Sequence, residues 1–118
     1  MMVNRFHEIL EAFSDIVKAV EDLEIVQKET VATFKAKLRL FDGSILWMRE
    51  VYVFDLMEAY SYYWLRPDET MIIGWDNAPH HRDVKTYPHH KHIAGKVEHS
   101  DQRNLQDILH FIRWFFRA

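Results

Sequence analysis

Between residues 3 and 24 the chain has no glycine or proline, and Phe6, Ile9, Leu10, Phe13, Ile16, Val17, Val20 and Leu23 recur at helical spacing. Glu8, Glu11, Asp15, Lys18 and Asp22 lie off that stripe, which predicts one amphipathic helix resting on a core. From Thr30 the period changes to two. Ala32, Phe34, Ala36, Leu38 and Leu40 alternate with Thr33, Lys35, Lys37 and Arg39, a strand with one apolar and one basic face. Asp42-Gly43 supplies residues that a tight turn favours, and residues 45–54 read as the return strand. Residues 58–66 predict a third strand ended by Pro67-Asp68, and residues 70–75 a fourth, in which Gly74 marks a bulge or a close backbone approach. Residues 76–99 hold Pro79, Pro88 and Gly95 without a steady period, which predicts a long surface loop or a strand broken by loops. The chain closes with a helix capped at Ser100 or Asp101, whose apolar arc is Leu105, Ile108, Leu109, Ile112, Phe115 and Phe116. The predicted fold is α+β: a four-stranded antiparallel meander with the N-terminal and C-terminal helices packed on one face.

The 118 residues fit a single domain spanning 1–118, and 48% hydrophobic with 28% charged residues argues against disorder. The absence of cysteine excludes disulfides, thiolate nucleophiles and thiolate metal sites. No apolar run reaches membrane-spanning length and no signal segment opens the chain, so a cytoplasmic protein without a membrane partner is expected. Residues 1–29 carry three basic and seven acidic groups, and the remainder twelve basic and eleven acidic. Bulk charge therefore gives no nucleic-acid footprint, and only a local patch can do so.

What changes the picture is histidine: six of the eight fall between His80 and His99. Trp75-Asp76-Asn77-Ala78-Pro79-His80-His81 is followed by Tyr87-Pro88-His89-His90-Lys91-His92, which places five imidazoles within 13 residues. Imidazole can transfer protons in both directions near neutral pH, and two of them can share base and acid roles in RNA cleavage through the 2′-hydroxyl. Asp76 would fix a tautomer, and Arg82 or Lys91 would stabilise a phosphorane. The rival reading is a divalent metal on the His80–His92 segment, since His90 and His92 point the same way if the backbone there is extended. The third is a solvated loop with neither role.

Three further features stand beside it. Lys35, Lys37 and Arg39 form a basic stripe about 7 Å apart along a strand, either a phosphate contact or an ordinary solvated face. Tyr60, Tyr62 and Trp64 share one strand face, either as base-stacking surfaces or, more commonly, as core. Trp114 projects among Arg103, His110, Arg113 and Arg117, either as an interface hot spot or folded back over the end of the sheet.

The two histidine-bearing stretches, with Tyr60-Ser61-Tyr62 on a strand and the Asp42-Gly43-Ser44 hairpin, resemble the TumE-type toxins of prokaryotic toxin–antitoxin modules over roughly residues 30–95. The resemblance implies a helix-turn-helix antitoxin as partner and, by analogy with small toxins of this kind, action on RNA. Carried over, the motif falls on Asp76, Asn77, His80, His81, His89, His90 and His92. Joined to the residue reading, it gives a metal-independent ribonuclease with no cofactor. His80 and one of His89, His90 or His92 are then the acid/base pair. Lys35, Lys37, Arg39, Tyr60, Tyr62, Asn77, Arg82 and Lys91 bind substrate, and a homodimer is possible.

Overall fold

Period-two patterning becomes strand, and it does so further along the chain in both directions than the sequence predicts. The computed structural model describes residues 2–118, with side chains described from Arg5 onward. Helix α1 (Met2–Ala12) leads into β1 (Val17–Lys28), β2 (Val31–Leu40), β3 (Ile45–Val53), β4 (Leu56–Leu65), β5 (Met71–Asp76), β6 (His90–Ile93) and β7 (Lys96–His99), and α2 (Leu105–Arg117) closes the chain. The strands form one antiparallel sheet in sequence order, seven strands in place of the four expected.

The long N-terminal helix is a correction with a clear cause. Phe6, Ile9, Phe13 and Ile16 are buried as the stripe requires, but the helix ends at Ala12 and residues 13–16 turn. Beyond them Val17, Val20 and Leu23 keep a three-residue spacing as strand, because β1 carries register shifts between Val17 and Ala19 and between Val20 and Asp22. Each shift inserts one extra residue, so the three side chains still pair with the core-facing Leu40, Leu38 and Ala36. A twice-bulged strand thus imitates helical periodicity.

The segment from 76 to 99 is likewise more ordered than a loop, since β6 and β7 extend the sheet past β5. Their hairpin turns at Ala94-Gly95, both at positive φ, and Phe54-Asp55 does the same between β3 and β4. Left-handed Phe, Asp and Ala are uncommon, so these turns carry no strong signal in the sequence. The cap of α2 is Asn104, whose side chain accepts from Asp107 N–H while the Asp107 side chain takes the Asn104 N–H. Neither Ser100 nor Asp101 serves.

Cross-strand register divides the sheet into two faces. Phe34, Ala36, Leu38, Leu46, Met48, Tyr62, Trp64, Ile73 and Trp75 face the helices and join Phe6, Ile9, Phe13, Leu105, Ile108, Leu109 and Ile112 in one core. Both helices therefore lie on one face, as expected. Glu50 is buried there too, accepting from Tyr62 Oη at 2.5 Å and Tyr52 Oη at 2.8 Å. Among the described residues no helix crosses the opposite face. One row of it reads Lys35, Arg49, Ser61, Asp76, His90 and His99, strand by strand; the next reads Lys37, Trp47, Tyr63, Gly74, His92 and Val97. Among the described residues no helix is long and apolar enough to cross a membrane.

Candidate functional site

Histidines reach the open face because β6 pairs with β5 in a register that sets His90 opposite Asp76 and His92 opposite Gly74. Strand alternation then turns Lys91 and His89 toward the helix side. The intervening chain is tied down at both ends. Asn77 Oδ1 accepts from the Tyr60 N–H at 2.9 Å and its Nδ2 donates to the Glu58 carbonyl at 3.1 Å, so the side chain prolongs the β4–β5 ladder by one step. The Asp76 carboxylate accepts from Ala78 N–H at 2.9 Å, an Asx turn that sends the backbone through Pro79 and brings His81 back over the strand. Thr86 Oγ1 donates to the His89 carbonyl and accepts from the Ser100 N–H, fixing the far end.

Asp76 is the centre of the site. It is 5% exposed, and beside Ala78 its oxygens meet His90 Nε2 at 2.9 Å, His92 Nε2 at 3.1 Å and Tyr63 Oη at 3.2 Å. The His90 ring is fully buried, while the His92 side chain is 31% exposed and His81 is half-buried. His81, His90 and His92 pack edge to face, with ring centroids 4.8 to 5.7 Å apart. Their nearest ligating nitrogens all lie within 4.8 Å of one another. Burial and the Asp76 charge push Tyr63 up to about 12, so its hydroxyl keeps its proton and donates to Asp76. A cleft of about 600 Å³ opens beside Asp76, lined in part by Arg49, Ser61, Tyr63, Asn77 and Pro79. A second, of about 410 Å³, lies on the other side of Tyr63 and includes His92. The slightly larger hollow of about 640 Å³ between the helices, near Arg5, Glu8 and His110, holds no comparable cluster of groups.

The residues singled out in the sequence divide accordingly. Asp76, His81, His90 and His92 come together; His80 is exposed on the turn outside the cluster. His89 packs on the other face, its ring stacked on Tyr60 and its Nδ1 2.9 Å from Tyr60 Oη, and burial holds its imidazole below the ordinary value. His80, expected to work with one of His89, His90 or His92, thus lies outside the cluster that holds the last two. Tyr60 and Tyr62 are 3% and 0% exposed in the core, which leaves no ring face for a base. Lys91 pairs with Trp75 on the helix face, Asn77 is a backbone tie, and Arg82 is exposed beside His81. Lys35 is exposed on the open face, but Lys37 and Arg39 are engaged by Glu21 of β1, Arg39 through two bonds of 2.9 and 3.0 Å. Arg113 binds Asp15 and the Ala12 carbonyl, whereas Trp114 is 63% exposed. Arg49 and Tyr63 were missed. Their signal was present: each occupies the outward phase of a strand whose inward phase is apolar.

A family model described as Toxin TumE matches residues 6–116, nearly the whole chain and both helices as well as the histidine stretches. The chain belongs to the TumE toxin family. Its members being toxins of toxin–antitoxin modules, a TumE toxin has an antitoxin as partner. No curated protein and no solved structure matches this TumE toxin.

Proposed function

We propose that this toxin acts on RNA, cleaving it at the histidine–aspartate cluster of the open sheet face. The observation that carries the reading is the cross-strand row in which Lys35 and Arg49 lead, through Ser61, to Asp76 and His90. Lys35 and Asp76 are three strand spacings apart, about 14 Å, so one extended polynucleotide strand can touch the cations while presenting a phosphodiester to the cluster. The acid/base pair is His81 and His92, the two cluster rings that solvent reaches. Asp76 holds His92 through Nε2, leaving Nδ1 for the substrate. In the cleavage step one imidazole takes the 2′-hydroxyl proton, the 2′-oxygen bonds to phosphorus, and the 5′-oxygen departs with a proton from the other. Arg82, exposed beside His81, supplies a cation for the phosphorane. A helix-turn-helix antitoxin that covers this face would silence the toxin.

A time course of untagged toxin on a defined RNA, with and without EDTA, tests the reading. His92→Ala is expected to slow cleavage on the order of 10²-fold or more. Full cleavage by a His81→Ala/His92→Ala double variant would overturn it. Cleavage that EDTA abolishes would keep the site and the substrate but replace metal-free proton transfer with metal chemistry. The contact between His90 and Asp76 favours that second reading.

A further inference from the structure

We infer that the open face binds one divalent transition-metal ion through His81, His90 and His92, with Asp76 as the carboxylate partner. The inference rests on the reading above for the place of the reacting centre only: an ion there would take His81 and His92 as ligands and supply the chemistry in place of their proton transfer, and the argument for it involves no RNA.

The argument begins at His90. Its Nδ1 lies 2.9 Å from the Pro88 carbonyl, which can only accept, so Nδ1 carries the hydrogen. A neutral ring then presents the lone pair of Nε2 to its other neighbour. That neighbour is Asp76 Oδ1, 2.9 Å away, an acceptor when ionised. Two lone pairs at hydrogen-bond distance inside a buried contact need a positive charge between them. An extra proton on Nε2 is one solution; a metal ion is the other. The surroundings favour the metal. His92 Nε2 stands 3.1 Å from the second oxygen of the same carboxylate, and a nitrogen of His81 lies within 4.8 Å of those of His90 and His92. A single proton on His90 gives no reason for His92 to take the other oxygen of that carboxylate and for His81 to close on both rings, whereas a metal ion does. An Nδ1–H fixed by a backbone carbonyl is also the usual support for a metal-ligating histidine, since it sets the tautomer and aims Nε2.

The donor set names the class of ion. Three imidazoles and one carboxylate suit zinc, manganese, iron or nickel, while calcium and magnesium prefer all-oxygen shells. In a tetrahedral zinc site, bonds of about 2.05 Å place the ligand nitrogens about 3.3 Å apart, so the histidines must close by about 1.5 Å at most. His81 is on a turn and His92 is partly exposed, so both have room to move; Asp76 and His90 form the fixed floor. Three imidazoles and Asp76 fill a tetrahedral zinc shell, and the clefts beside Asp76 and His92 give a fifth, exchangeable ligand a way in from solvent.

The test uses the untagged full chain, stripped with a chelator that is then dialysed away, and titrated with zinc chloride by calorimetry. Cobalt(II) absorption serves as a ligand-field readout. The folded protein is expected to take up one equivalent of zinc, to give a visible d–d band with cobalt, and to keep both in excess magnesium. His90→Ala should weaken zinc binding by more than about the tenfold to hundredfold that loss of an outer-shell partner costs. Because His90 is buried and its loss can unfold the chain, His92→Ala and His81→Ala are the decisive variants, each checked for native circular dichroism. His110→Gln, remote from the cluster, should still bind one equivalent. A folded wild type that binds no stoichiometric zinc overturns the inference, as do folded His81→Ala and His92→Ala proteins that bind as tightly as wild type. Stoichiometric zinc with intact RNA would uphold the metal site and remove the ribonuclease reading. RNA cleavage by protein that binds no zinc would do the reverse.

Discussion

At the scale of single residues the site depends on one glycine as much as on its histidines. Gly74 pairs with Tyr63 across β5 and β4, and a Cβ built there would stand 2.5 Å from Tyr63 Cδ1 and 2.8 Å from Cε1. The tyrosine ring therefore lies over bare backbone, and that position lets its hydroxyl reach Asp76 at 3.2 Å. The close approach was readable from a lone glycine in a strand; the partner was not, because nothing local says which cross-strand ring fills the gap. Gly74→Ala should force the ring aside, with an overpacking cost of about 1–3 kcal/mol in urea denaturation. Tyr63→Phe keeps the ring and loses only the hydroxyl, so it should cost about 0.5–1.5 kcal/mol. If Gly74→Ala proves as stable as wild type, the ring is not held where the structure has it. The same contrast between facing and spacing corrects Tyr60 and Tyr62. They share a strand face with Trp64 as the sequence indicates, but it is the face under the helices.

At the scale of elements, what was legible is what amphipathic alternation encodes. Strands β2 to β5 and the closing helix follow from it, and so does the open face that carries the basic residues. The bulged β1 was illegible because its two inserted residues convert period two into period three. Strands β6 and β7 were illegible because each has four residues and they turn on Ala94-Gly95. Ends of elements are also joined by side chains far apart in sequence, which no local pattern reveals. Arg113 of α2 donates to Asp15 at 2.6 and 2.9 Å and to the Ala12 carbonyl at 2.7 Å, clasping the turn that follows α1. Hydrogen bonds and charge from Arg113 hold the Asp15 carboxyl below its ordinary 3.8. A depressed folded value stabilises the fold above the unfolded value and ceases to do so as pH falls through the folded one. Asp15→Asn should therefore lower stability at neutral pH, by less than about 1 kcal/mol because the pair is solvent-exposed. The gap from wild type should narrow only below about pH 4, as thermal unfolding measured from pH 7 to pH 2.5 would show. An equal gap at every pH would mean that packing, not charge, holds the clasp.

At the scale of the whole molecule, the net charge of −3 conceals how the charges are arranged. Cations on β2 and β3 face solvent on the open side, and the acidic edge strand β1 lies beside them. Glu21 reaches across to Arg39 and Lys37, and the Arg39 hydrogen bonds hold its carboxyl below the ordinary range, so it stays ionised at any working pH. One carboxylate thus engages two of the three cations in the basic stripe, and on the proposed RNA path Lys35 and Arg49 are the cations that remain for phosphate. This arrangement makes a prediction opposite to intuition about removing a surface ion pair. Glu21→Gln should tighten binding of single-stranded RNA and steepen its salt dependence, because Lys37 and Arg39 become available to displace counterions. Each phosphate contact on a single strand contributes about 0.7 to the slope of log affinity against log salt, so the gain should be about 0.7 to 1.4. Lys35→Gln with Arg49→Gln should lower the slope by a similar amount, and Lys28→Gln, on the free edge strand, should leave it unchanged. Fluorescence anisotropy with a labelled oligoribonucleotide from 50 to 300 mM salt reads all three, using a 2′-deoxy substitution at the scissile position to prevent cleavage. If Glu21→Gln binds no better than wild type, RNA does not pass over β2, and the polynucleotide path is confined to Arg49 and the cleft beside Asp76.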